Sequence, residues 1–161
     1  MLTLKERCRV RDLYPSERQG LFRVFKGTDS VLDIGCGSGG MSEIWHDVKN
    51  RVEYIGIDED SELIRKAQEK YPDTFYQGEY PKQFSEGSYL YDTVMALGVL
   101  HWNEAWRRML QSMWKQCRKY CFFDVRMSAL NPSSLGRQVI SVSETGKQEV
   151  PYLVLDPVLL L

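Results

Sequence analysis

A glycine-rich loop between an apolar strand pattern and a helix pattern is the part of this sequence best suited to binding chemistry. Residues Ser30–Gly40 read SVLDIGCGSGG, an apolar run followed at once by glycines. Gly35, Gly37 and Gly40 match the pattern G-x-G-x-x-G, in which missing β-carbons let a ligand approach the backbone and helix amides face an anion. A purely structural turn is the alternative, and nicotinamide-dependent oxidoreductases share the pattern. The neighbouring residues must therefore decide.

Carboxylates stand at three positions near the predicted ends of strands. Asp33 lies two residues before Gly35, where it would organise the loop and meet a ligand ammonium group. Asp58 follows Gly35 by 23 residues, close to the spacing of an acid that accepts hydrogen bonds from ribose hydroxyls. Glu79, with Tyr80 beside it, would accept a hydrogen bond from an exocyclic adenine amine. We interpret these acids and the glycine loop as one site.

His101, in the segment VLHW, is the candidate general base. Histidine titrates near neutrality, so it can take a proton from a hydroxyl or an acidic carbon. The alternative is a histidine that lines the pocket or caps the helix predicted to begin near Asn103. Trp102 and Trp106 are more typical of packing than of a substrate platform.

Strand and helix patterns alternate along the chain and would position these residues. A first helix is predicted to be capped by Ser16 and Gln19, before the first strand. The predicted strands are Val31–Ile34, Val52–Asp58, Thr74–Glu79, Tyr91–Leu100 and Lys119–Val125. The predicted helices between them are a stripe from Met41 to Val48, a segment from Leu63 to Tyr71 capped by Asp60 or Ser61, and a helix from about Asn103 whose core face is Trp106, Met109, Leu110, Met113 and Cys117.

This alternation predicts an α/β fold, a Rossmann-like, doubly wound and mostly parallel sheet with helices on both faces. Ligands of such sheets bind beyond the carboxyl ends of the strands, where the strand order reverses. The glycine loop, Asp58, Glu79 and the residues after Val94 are all expected at that edge.

The sequence resembles the class I S-adenosylmethionine-dependent methyltransferases, most closely the branch that acts on small molecules. LDIGCGSGG, YIGIDEDSELI, FYQGEY and YDTVMALGVLHW match the first four motifs of that family in order and spacing, and the resemblance spans about Ser30 to Val125. It implies S-adenosylmethionine as cofactor, with the loop on the methionine part, Asp58 on the ribose and Glu79 on the adenine. The cofactor-binding residues it implies are Asp33, Gly35, Cys36, Gly37, Gly39, Asp58, Glu59, Glu79, Tyr80, Ala96 and Leu97.

The acceptor of the methyl group is expected to be a small molecule. Enzymes that methylate exocyclic amines of nucleic acids typically carry Asn or Asp followed by Pro-Pro-aromatic after strand four, whereas this chain has ALGVLHW. The formal net charge of −1 gives no electrostatic footprint for a phosphate backbone. Two alternatives stay open, an NAD(P)-dependent oxidoreductase using the same loop and a cofactor-binding module that no longer catalyses.

Composition limits the remaining function classes. The basic segment Lys5–Arg11 is interrupted by Glu6 and predicts a solvated helix face rather than a nucleic-acid-binding arm. The four cysteines match neither a zinc site nor a disulfide framework, so we expect reduced thiols and no metal. No run approaches the ~20 apolar residues that span a bilayer, and no signal peptide is evident. A cytoplasmic protein without a membrane partner is the expectation.

The C-terminal part departs from the family pattern. We expect one domain over residues 1–161, with an N-terminal helical segment (1–29), a cofactor-binding core (30–125) and a lid or hairpin insert (127–155) that turns around Glu144–Lys147. Only 36 residues follow Val125, so the last strands of the sheet are expected to be truncated. A hairpin that itself closes the sheet is the alternative. Asp156 and Pro157 predict the start of a helix, and the exposed edge predicts a weak homodimer.

Overall fold

Five parallel strands form the central sheet of the computed structural model, in the order β3-β2-β1-β4-β5. The structure describes residues 7–49, 51–71, 74–82, 89–128, 134–142 and 146–154. The strands of this sheet are β1 (Ser30–Ile34), β2 (Glu53–Asp58), β3 (Phe75–Gln77), β4 (Tyr91–Ala96) and β5 (Cys117–Phe123). The helices are α1 (Pro15–Val24), α2 (Gly40–Val48), α3 (Ser61–Lys70) and α4 (Trp106–Gln116), with short 3₁₀ helices at Val10–Asp12, Phe25–Gly27 and Leu100–Trp102. The strand order reverses between β1 and β4, as the predicted doubly wound fold requires.

Helices cover both faces of the sheet, so its central strand β1 is buried on both sides. In β1, Val31 points into a core cluster that includes residues of α1, α2 and α3. Its neighbour Leu32 points into a second cluster, which includes residues of α4. Successive side chains of a strand face opposite ways, so a strand buried on both faces is apolar at nearly every position. The predicted fold class is confirmed.

The N-terminal segment differs from the prediction in two ways. Helix α1 begins at Pro15 with Tyr14 as its N-cap residue, so Ser16 lies inside the helix, and the side chain of Glu17 accepts a hydrogen bond from the Tyr14 amide at 2.8 Å. Proline at the first helical position fixes the start there. Arg7 does not lie on a solvated helix face, because its guanidinium forms an ion pair with the buried Glu17 at 2.7 Å.

Strand β4 is shorter and α4 begins later than the sequence pattern predicts. Gly98 has a φ of +77°, which turns the chain out of the sheet before the apolar run ends. The 3₁₀ helix Leu100–Trp102 follows, and α4 starts only at Trp106. The buried face of α4 is Trp106, Met109, Met113 and Gln116, whereas Cys117 already belongs to β5. At α3 the capping prediction is confirmed, since the Asp60 carboxylate accepts from two backbone amides.

A β-hairpin follows the sheet and is separate from it. Strands β6 (Ser134–Val142) and β7 (Gly146–Val154) pair antiparallel as a two-stranded sheet, so the alternative in which this hairpin closes the main sheet is wrong for the described strands. The hairpin packs through β7 on the 3₁₀ helix Leu100–Trp102, and Leu153 joins the core cluster of α4. Residues Glu144 and Thr145 of the predicted turn, and the predicted helix from Asp156, lie outside the described residues.

No helix in the described ranges is both long enough and apolar enough to cross a membrane. Four cysteines are present as free thiols, at positions Cys8, Cys36, Cys117 and Cys121.

Candidate functional site

The glycine loop connects β1 to α2 at the carboxyl edge of the sheet. It contains three glycines with a left-handed backbone, and their surroundings differ. Gly35, Gly37 and Gly39 have φ values of +73°, +56° and +86°. A β-carbon on Gly35 would lie 2.3 Å from Cγ2 of Val99, and one on Gly39 would lie 2.8 Å from the ring of Phe75. A β-carbon on Gly37 would meet no atom within 4 Å. Packing therefore explains two of these glycines, whereas Gly37 borders open space.

Asp58 ends β2 directly beside the loop. Its Oδ2 accepts a hydrogen bond from the Gly37 amide at 2.9 Å, and its Oδ1 accepts one from the Asp60 amide at 2.9 Å. Each carboxylate oxygen has two acceptor positions, so Asp58 keeps capacity for further donors. The side chain is half-buried. The structure thus brings together the open glycine and the acid that the sequence pattern singled out.

Asp33 is buried below the loop rather than facing open space. It is 2% exposed, and its carboxylate accepts a hydrogen bond from the hydroxyl of Tyr54 on the adjacent strand β2. Burial is the main reason that the pKa of Asp33 rises to about 7, and the nearby charge of Asp58 adds to it. Burial likewise raises the pKa of the Cys36 thiol, so this residue is a neutral, small member of the loop.

The remaining predicted cofactor residues occupy the same edge in different environments. Glu79 lies after β3 at the surface and forms an ion pair with Lys82 at 2.9 Å. Tyr80 is buried, and its hydroxyl donates to the Gln116 side chain of α4 at 2.9 Å. The others are Glu59, which is exposed after β2, and Ala96 and Leu97, which are buried at the end of β4.

His101 lies in the 3₁₀ helix beyond β4 and is 5% exposed. Its Nδ1 atom has no hydrogen-bond partner within the described part of the chain, and neither has Nε1 of the adjacent Trp102. Burial lowers the pKa of His101 below its usual value, an effect that Asp124 opposes and Arg126 reinforces. The imidazole does not cap α4, which begins five residues later. A neutral buried histidine with a free ring nitrogen can receive a proton.

Three residues that the sequence reasoning missed surround His101. Asp124 and Arg126 follow β5, and the Asp124 Oδ1 atom accepts from the Gly98 amide at 2.6 Å. Tyr152 of β7 lies edge-to-face with His101, with ring centroids 6.5 Å apart, and its hydroxyl accepts from Arg126 at 2.6 Å. We call His101, Trp102, Asp124, Arg126 and Tyr152 the His101 cluster. Charged residues directly after an apolar strand were a usable signal for Asp124 and Arg126.

The edge of the sheet therefore presents two adjoining groups of residues. One offers backbone amides and a carboxylate around an open glycine, and the other offers a neutral imidazole and a guanidinium. The described residues contain no group of three or more His, Cys, Asp or Glu side chains that could hold a metal ion.

Comparison with known families identifies the group to which this arrangement belongs. Residues 31–120, which are more than half of the chain, match the sequence profile of a family described as a methyltransferase domain. The chain belongs to the methyltransferase domain family. The matched region begins in β1 and ends in β5, so it contains the glycine loop, Asp58 and His101.

Solved structures of methyltransferases share this fold. The sugar N-methyltransferase KedS8 from Streptoalloteichus sp. ATCC 53650 superposes with a TM-score of 0.60 at 15% identity, covering 89% of this chain and 74% of that one. The structure titled DhpI-SAH complex gives a TM-score of 0.59 at 13% identity, covering 87% and 68%. The plantazolicin methyltransferase BpumL in complex with SAH gives 0.50 at 24% identity, covering 73% and 41%.

This methyltransferase-family chain thus spans about two fifths of the length of BpumL. No curated protein sequence matches it.

Proposed function

We propose that this chain binds S-adenosylmethionine and transfers its methyl group to a small-molecule acceptor. The observation that carries the proposal is the open space at Gly37 beside Asp58. A side chain at position 37 would enter that space, whereas those at Gly35 and Gly39 would collide with the protein itself. Gly37 has a left-handed backbone, as Gly35 and Gly39 do, but no protein atom fills the space beside it, so a ligand has room against the backbone there.

The residues at this edge fit a nucleoside sulfonium. Asp58 has acceptor capacity for ribose hydroxyls beyond its two amide donors, and Glu79, two residues after β3, would accept a hydrogen bond from an adenine amine. The loop and the buried end of β4 at Ala96 and Leu97 would hold the methionine part. When bound, S-adenosylmethionine supplies a methyl group already activated by its positively charged sulfur.

The protein's own contribution is to place the acceptor and to handle its proton. Alignment of two reactants in a site that excludes water lowers the barrier without a nucleophilic residue. His101 is neutral and has a free Nδ1, so it is suited to take a proton from an acceptor hydroxyl or amine. The hairpin of β6 and β7 packs beside His101, which supports its assignment as a lid over the acceptor.

A small acceptor is supported by the charge and by the structural neighbours. The net charge of −1 offers no attraction for a nucleic-acid backbone. The structural neighbours include a sugar N-methyltransferase, and BpumL is recorded with a monoazolic desmethylPZN analog. Both support an acceptor of this size class.

Calorimetric titration with S-adenosylhomocysteine tests cofactor binding. We expect micromolar binding by the wild-type chain and at least about tenfold weaker binding by Asp58→Asn, because a neutral amide accepts ribose hydrogen bonds less strongly than a carboxylate. Asp47→Asn makes the same charge change on an exposed residue of α2 and serves as the matched control.

Binding of NADH without binding of S-adenosylhomocysteine would identify an oxidoreductase and overturn the proposal. Cofactor binding without turnover, across metabolite extracts supplied with labelled cofactor, would identify a non-catalytic module. Stoichiometric methylation of bulk RNA or DNA would overturn the assignment of a small acceptor.

A further inference from the structure

Arg126 carries a positive charge that the described residues leave without a carboxylate partner. Its guanidinium lies 4.8 Å from the centre of the Tyr152 ring and donates to the Tyr152 hydroxyl, which is neutral. The side chain is half-buried. Two other half-buried cations are matched by acids, since Arg7 pairs with Glu17 and Lys49 with Asp29.

A partly desolvated guanidinium with only a neutral partner costs free energy that an anion would recover. Arg presents parallel N–H donors in a fixed plane, which match the two oxygens of a carboxylate or the oxygens of a phosphate. The Arg126 hydrogen bond to Tyr152 uses one terminal nitrogen and leaves other donors available. Asp124, two residues earlier, is engaged at Oδ1 by the Gly98 amide.

The position of Arg126 places this charge beside the proposed proton acceptor. Tyr152 contacts both Arg126 and His101, and the charge of Arg126 contributes to the lowered pKa of His101. His101 Nδ1 and Trp102 Nε1 are buried polar atoms without partners in the described part of the chain. Buried polar groups cost free energy unless they are hydrogen-bonded, so a ligand whose polar atoms reach these two groups would recover that cost.

We propose that the acceptor carries an anionic group, a carboxylate or a phosphate, which Arg126 binds while His101 contacts the group to be methylated. The proposal rests on the proposed methyltransferase function and specifies its acceptor class. It also gives the hairpin a role in selectivity, because Tyr152 of β7 orients Arg126.

Nuclear magnetic resonance titration with small aromatic anions tests the proposal on the full chain saturated with S-adenosylhomocysteine. Benzoate, phenyl phosphate and the neutral benzamide are added separately, and the indole N–H signal of Trp102, assigned with Trp102→Phe, reports binding. We expect saturable shifts with benzoate or phenyl phosphate, and about 10- to 100-fold weaker binding in Arg126→Gln, the loss typical of a charge-assisted hydrogen bond. The stronger of the two anions distinguishes a carboxylate from a phosphate acceptor.

Two further variants keep the test decisive. Arg137→Gln removes an exposed arginine of the same hairpin and should leave anion affinity unchanged. Arg126→Lys keeps the charge without the planar fork and should give intermediate affinity, which separates anion binding from a folding defect.

Equal affinity for benzamide and benzoate, or unchanged benzoate affinity in Arg126→Gln, would overturn the anionic acceptor. The proposed function predicts that S-adenosylhomocysteine binds whether or not the acceptor is an anion. Its binding is therefore measured in the same samples, and failure of the anionic acceptor alone would leave it intact.

Discussion

The buried pair of Asp33 and Tyr54 makes the stability of this protein depend on pH in an unusual direction. The usual pKa of this carboxyl is 3.8, and burial raises it to about 7 in the folded protein. Between these values the unfolded chain loses its proton while the folded chain keeps it, so stability falls as pH rises and becomes constant above about 7. Three pKa units correspond to about 4 kcal/mol.

Asp33→Asn removes this titration and keeps an acceptor for the Tyr54 hydroxyl. The amide adds buried donors, and their cost does not depend on pH. We therefore compare the free energies of unfolding of variant and wild type at each pH and ask how their difference changes with pH. From pH 5 to pH 8 we expect the variant to gain about 3 kcal/mol relative to wild type, since roughly two of the pKa units lie in that window.

Urea denaturation of both proteins at pH 5, 6, 7 and 8 gives this difference directly. Asp47→Asn, on an exposed carboxylate of α2, should show no such trend relative to wild type. A stability difference for Asp33→Asn that stays constant across the four pH values would refute the burial argument.

Four other substitutions test separate parts of the structure. Gly35→Ala should lower stability by several kcal/mol because its β-carbon would lie 2.3 Å from Val99. Gly37→Ala should lower it by about 1–2 kcal/mol, the cost of a left-handed backbone at a residue with a β-carbon. Thermal denaturation compares the two variants. Wild-type activity should fall on acidification below pH 6.5, because the pKa of His101 is lowered, and His101→Gln should lower turnover and remove this fall. If the variant is slower than wild type by the same factor at every pH, His101 is not the base. The groove beside β5 contains Trp114, which is 73% exposed, so we expect weak self-association through this edge, reduced in Trp114→Gln; sedimentation as a monomer at all wild-type concentrations would exclude it.

The sequence predicted the fold and the glycine loop well because local signals coincide there. The apolar run ends at Ile34, the glycines follow at once, and the amphipathic stripe begins at Met41, so propensity and periodicity agree. The end of β4 was misplaced because the apolar pattern continues through Leu100 although Gly98 has already turned the chain. Periodicity records which side chains are apolar and not where the backbone leaves the sheet.

The His101 cluster was predictable only in part, because its contacts join distant segments. His101 stood out as a titratable residue beyond a strand. Arg126 did not, because its position depends on a hydrogen bond to Tyr152, 26 residues later on a separate hairpin. The pairing of Asp33 with Tyr54 likewise depends on the parallel register of β1 and β2, which places Val31 opposite Tyr54. A linear pattern contains no information on such a register unless one face is distinctive.

The contact between Gly35 and Val99 links the two halves of the site. Cγ2 of Val99 fills the space where a Gly35 side chain would lie, so the loop backbone rests against the segment that continues into the 3₁₀ helix of His101. Close-packed contacts of this kind transmit displacement rather than absorb it. We therefore expect a ligand bound at the loop to change the affinity for a ligand at His101, and thermodynamic linkage requires that the second ligand then change the affinity of the first by the same factor. Dissociation constants measured for each ligand with and without the other would give this coupling energy.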